Sequence, residues 1–85
     1  KVASAPHKEE GERLEVGDHF YIDANQGDRD AFVLAVDGEE AFAKYYMPNG
    51  REFLVIVDRD DHYKLKNISP NRVPKKWRKV DLEAA

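Results

Sequence analysis

The stretch AFVLAVDGEEAFAKYYMPNGREFLVIV, residues 31–57, decides the fold. It contains three apolar runs, 31–36 (AFVLAV), 41–47 (AFAKYYM) and 52–57 (EFLVIV), each strand-sized and rich in β-branched or aromatic side chains. Asp37-Gly38 separates the first two, and this dipeptide accepts the positive φ angles of a type I′ hairpin turn. Pro48-Asn49-Gly50 separates the second from the third and is also a hairpin signal. Glu39, Glu40, Ala41, Ala43 and Lys44 have good helix propensity, but a helix there would leave 53–57 without an antiparallel neighbour. Three consecutive antiparallel strands are therefore expected.

Outward from this meander, 19–22 (HFYI) follows a Gly17-Asp18 turn and predicts an earlier strand. The segment 23–30 (DANQGDRD) is made of turn-formers and predicts a polar loop. After 57, the acidic run 58–61 (DRDD) suits one 3₁₀ turn, and 62–68 (HYKLKNI) predicts a fifth strand that Ser69-Pro70-Asn71 ends. Residues 1–15 open with Pro6, Gly11 and scattered charges and read as a flexible arm. Residues 70–85, with Pro74 and a basic cluster, read as a tail holding at most a short helical turn. The expected organisation is one small barrel over 16–69 with an arm before it and a tail after it.

Composition excludes several classes. With 41% hydrophobic and 36% charged residues, the chain is too apolar for disorder and too polar for a membrane protein, and no run approaches the roughly 18 apolar residues of a spanning helix. The absence of cysteine removes disulfides and thiolate metal sites and gives no compartment signal, so the cytoplasm is the default. The net charge of −3 hides polarity along the chain. Residues 1–61 hold seven basic and fifteen acidic side chains, while 62–80 hold seven basic and none acidic. Such asymmetry points to an electrostatic partner.

Five short strands, a longer loop after the first, two tight hairpins and a 3₁₀-like turn before the last strand resemble the order of an SH3-like barrel. Within it, 42–52 (FAKYYMPNGRE) resembles the Tudor-type pattern of an aromatic strand, a turn ending in Asn or Gly, and an acidic residue opening the next strand. The resemblance implies a mainly β, five-stranded SH3-like or Tudor-like barrel acting as a binding module. It also implies an aromatic cage for methylated Lys or Arg, which would draw on Phe20, Tyr21, Tyr45 or Tyr46. The Tudor turn runs acidic-aromatic-Gly-Asn, whereas this chain has Met-Pro-Asn-Gly.

The residues themselves offer two surfaces. Strand alternation sends Phe42 and Tyr46 one way and Ala43, Tyr45 and Met47 the other, so the strands are apolar on both faces. One face could be core and the other a docking patch for a protein or peptide, with Tyr21, Phe42, Tyr45 and Tyr46 as its residues. A barrel this small could instead use nearly every aromatic for packing, and a homodimer would bury the same patch. The second surface is basic: Lys64, Lys66, Arg72, Lys75, Lys76, Arg78 and Lys79, with Trp77 among them, could neutralise phosphates while the indole stacks on a base. The plain alternative is that Trp77 anchors the tail on the barrel and the lysines are solvated.

Nothing points to catalysis, a cofactor or a metal. His7, His19 and His62 stand near no recognisable nucleophile motif, and the loop 25–28 lacks the Lys-Ser/Thr of a P-loop. Asp58, Asp60, Asp61 and His62 lack the glycine and distant Glu of an EF-hand and read as a solvated turn. The expectation is a non-catalytic module that docks a protein or peptide partner within a regulatory assembly, with nucleic-acid binding through 62–80 as the alternative.

Overall fold

A computed structural model of the chain describes residues 7–9, 11–24 and 27–83. It is mainly β, with one six-stranded sheet in the order β1 (His7–Lys8), β2 (His19–Ala24), β3 (Gly27–Asp37), β4 (Glu40–Tyr46), β5 (Glu52–Asp58) and β6 (Leu65–Ile68). Strands β2 to β6 form an antiparallel meander, and β1 lies parallel to β2. Two 3₁₀ turns, Pro70–Arg72 and Lys75–Trp77, follow.

The three central strands stand where residues 31–57 place them, but the β3–β4 turn has a different chemistry. Asp37 pairs with Glu40, so Gly38 and Glu39 are the central residues. Only Gly38 has a positive φ, of 59°. A type I′ turn needs positive φ at both central positions, whereas II′ needs it only at the first, where glycine sits here. Of the polar segment 23–30, the described residues 23–24 and 27–30 are not loop either, while 25 and 26 lie outside the described residues. Residues 23–24 continue β2 and 27–30 open β3, pairing Ile22 with Arg29 and Asp23 with Asp28. Ladder hydrogen bonds come from the backbone and need no apolar side chain, so a hairpin can run past the core into water.

The expected five-stranded barrel is corrected to six strands in a sheet that is not closed, with β1 and β6 at its edges. Loop contacts bridge the gap where a ladder would be. The Leu14 N–H donates to the Arg59 carbonyl at 3.0 Å, and Arg59 Nε donates to the Leu14 carbonyl at 2.8 Å. These contacts place Leu14, fully buried, in the core, and His7 and Lys8 stand in the sheet. Residues 1–6 lie outside the described residues.

Alternation splits the side chains between two cores. The inner face carries Leu14, Phe20, Ile22, Val33, Ala43, Tyr45, Val55 and Val57. The outer face carries Leu34, Phe42 and Leu54, covered by Val73 and Trp77 from the tail, with Val80 and Leu82 at its margin. A register shift between Val33 and Ala35 puts Leu34 and Ala35 on the same outer side and bends β3, as bulges do. The tail needs no ladder to sit there. Its backbone is satisfied internally, for example by the Trp77 N–H donating to the Pro74 carbonyl at 2.9 Å and the Val80 N–H to the Trp77 carbonyl at 3.1 Å.

Candidate functional site

The tail covers only part of the outer face. Phe42 is fully buried beneath Trp77, their rings stacked with centroids 5.3 Å apart and planes 7° from parallel. Lys44, on the same face, is 1% exposed and donates from Nζ to the Leu82 carbonyl at 2.6 Å. Beyond this row, toward the β2–β3 hairpin, the tail leaves the outer face open, and only the His7 ring, among the described residues, lies over it, stacked on Tyr21 with Nε2 2.7 Å from Asp30 Oδ1. Register aligns Tyr21 with Asp30, Asp23 with Asp28, and Tyr46 with Glu52. Ala31 faces Tyr45 in the end pair of the β3–β4 ladder, so Asp30 and Tyr46 follow it on the outer side of their strands. A band of Tyr21, Asp30, Tyr46 and Glu52 thus crosses the sheet, with the Asp23–Asp28 pair beside it.

At the open edge this band meets a cleft of about 290 Å³ lined by Lys8, Glu9, Tyr21, Asp23, Asp28, His62 and Tyr63. Tyr21 is 52% and Tyr63 72% exposed, which makes them the most exposed aromatic rings described. Three carboxylates face one ammonium here, and that ammonium, Lys8, already lies 3.6 Å from Asp18. His62 is buried, with Nε2 3.0 Å from the Glu12 carbonyl and its ring edge on Phe20. The cleft wall is therefore fixed while its rim is aromatic and negative. Like charges directly opposite each other across a ladder destabilise it, and Asp23 faces Asp28 in that manner. A cation placed between them would remove the repulsion.

The four residues expected to form the docking patch do not share one face. Tyr21 and Tyr46 stay on the open outer face, exposed and half-buried respectively. Phe42 is core under the tail, and Tyr45 is 6% exposed on the inner face, its hydroxyl 3.0 Å from Asn67 Oδ1. Phe20 is fully buried on the inner face, so the Phe20, Tyr21, Tyr45 and Tyr46 rings do not surround one space. Asp23, Asp28, Asp30 and Tyr63 were missed. Their signal was the two-residue spacing in Tyr21-Ile22-Asp23 and Asp28-Arg29-Asp30, hidden by reading 23–30 as a loop.

On the basic side, Lys64, Lys66, Arg72, Lys75 and Lys79 are exposed. Lys76 pairs with Asp37 at 2.8 Å and Glu40 at 3.1 Å, and these hydrogen bonds raise its pKa above the ordinary lysine value. Arg78 Nε donates to the Val73 carbonyl at 3.1 Å. Trp77 is 4% exposed, with the Lys76 ammonium 4.4 Å from its ring centroid, so no face of the indole is offered to a base. At the opposite end of the sheet, Arg13 ties Glu39 to Asp60, and the two carboxylates hold its pKa above the arginine range. Among the described residues, no three His, Asp or Glu side chains are grouped to hold a metal ion. No family model, curated protein or solved structure matches the chain.

Proposed function

We propose that the protein is a non-catalytic interaction module that docks a basic, extended segment of a protein partner on the acidic, aromatic end of its sheet. In plan it is an SH3-like meander whose unclosed seam is the binding cleft. The observation that carries this reading is the Asp23–Asp28 pair flanked by the exposed rings of Tyr21 and Tyr63. Carboxylates supply charge and the rings supply flat faces over which a Lys or Arg cation is attracted. The carboxylate repulsion costs the free protein stability that a cationic ligand returns.

Titration of the ¹⁵N-labelled protein with an Arg/Lys-rich peptide and a Glu/Asp-rich control tests it. The basic peptide should shift the amides of Tyr21, Asp23, Asp28 and Tyr63 and lose affinity as salt rises, and the control should do nothing. Silence with the basic peptide overturns the reading. The exposed lysines of 64–79 favour a second reading, nucleic-acid binding by charge alone, since Trp77 is covered. An oligonucleotide titration that shifts Lys75 and Lys79 at low salt would support it.

A further inference from the structure

We infer that the outer edge of β2 takes the partner peptide as an added strand parallel to β2, and that β1 is an intramolecular occupant the partner displaces. The incoming strand places a cationic side chain over Tyr21 and against Asp30. This rests on the docking reading of the same acidic end and specifies how the ligand lies there.

The argument starts from β1 itself. Among the described residues, His7 and Lys8 alone form β1, in parallel register opposite His19 and Phe20 of β2. Both side chains are of the kind the site would attract. The His7 imidazole stacks on Tyr21 with centroids 4.0 Å apart and planes 7° from parallel, and its Nε2 lies 2.7 Å from Asp30 Oδ1. Lys8 approaches Asp18. A nitrogen-bearing ring flat on Tyr21 and bonded to Asp30 is the arrangement an arginine guanidinium would adopt.

The chain then leaves the edge. The Glu12 N–H donates to the Glu9 carbonyl at 3.0 Å and the Glu9 N–H to the Glu12 carboxylate at 2.7 Å, which turns the backbone away after two paired residues. Among the described residues, no strand lies beside Tyr21, Ile22 and Asp23 on that side, and this bare stretch of edge borders the cleft. A bare edge is a template for strand addition. A two-residue strand held by one partly exposed hydrogen bond and one partly exposed ion pair belongs to the least stable part of a fold. A peptide of five or six residues would pair with all of β2 and bring a second cation to Asp23 and Asp28.

The test titrates labelled wild type, His7→Ala and Lys8→Pro with the hexapeptide Arg-Lys-Lys-Val-Lys-Val, whose first two residues take the register positions of His7 and Lys8 and whose remaining four extend along Tyr21 to Ala24. The first variant removes the side chain that fills the site, and the second disrupts the strand through its backbone, so one informs if the other folds poorly. Both should bind about tenfold tighter than wild type, because a bound competitor lowers apparent affinity by the fraction of free sites. Shifts should run along residues 19–23, with peptide contacts to Tyr21 and Asp30. Equal affinity for all three proteins would remove β1 as an occupant while the docking function stands. Shifts confined to Tyr63 and the hairpin tip would remove strand addition, and no binding by any form would overturn this inference together with the docking function.

Discussion

The two halves of the outer sheet face are made by the same strands yet have opposite characters. Over β4 and β5 the face is apolar and covered, with Phe42 under Trp77 and Lys44 capped by the Leu82 carbonyl. Over the ends of β2 and β3 it is acidic and open, with Tyr21 beside Asp23, Asp28 and Asp30. The difference teaches that the tail assigns the roles. Where it lies, aromatic residues become core. Where it stops, the same alternation leaves them at the surface among carboxylates.

The comparison breaks first at Trp77. Trp77→Ala should destabilise the protein by about 3–5 kcal/mol in urea unfolding, as for other buried aromatic truncations; a loss below about 1 kcal/mol would make the tail an appendage and the covered half a second open face. Lys44 sharpens the point. Lys44→Ala leaves a hole and an unsatisfied Leu82 carbonyl, with an expected cost of about 2–3 kcal/mol. Lys44→Met fills the space without a buried charge and should fall within about 1 kcal/mol of wild type. A Met variant as unstable as the Ala one would make the ammonium the essential feature.

On the open half the sign should reverse. Asp28→Asn relieves the repulsion with Asp23 and should stabilise the protein by a few tenths of a kcal/mol, up to about 0.5, while weakening the basic peptide severalfold. Destabilisation would mean that the pair is structural. Lys76, which joins the tail to Asp37 and Glu40, should matter least. Its raised pKa means that this pairing is complete below the ordinary lysine value and lost as pH rises through the raised one. Thermal melts of Lys76→Met and wild type should therefore differ by the same small amount from about pH 6 to about pH 9, and the difference should shrink in high salt.

Much of this was legible in residues 31–57, where turn chemistry and strand-sized apolar runs agree and the neighbours on both sides follow in chain order. The opposed directions of Phe42 and Tyr45 were legible too. The site was only partly so. Tyr21 and Tyr46 stand out in the sequence as aromatics, but the carboxylates beside them read as loop solvation, because a polar hairpin extension and a polar loop have the same composition. Trp77 among basic residues reads equally as a base-stacking group or as an anchor, because both uses have the same local sequence.

Local rules thus determined the meander, the hairpin positions and the two-faced strands, since a strand's period of two and a turn's φ requirements act over a few residues. Only the tertiary structure decided which face of which strand stays open. That choice depends on where Leu14, Trp77 and Leu82 come to lie, and these contacts join residues far apart in the chain whose meeting no local pattern encodes.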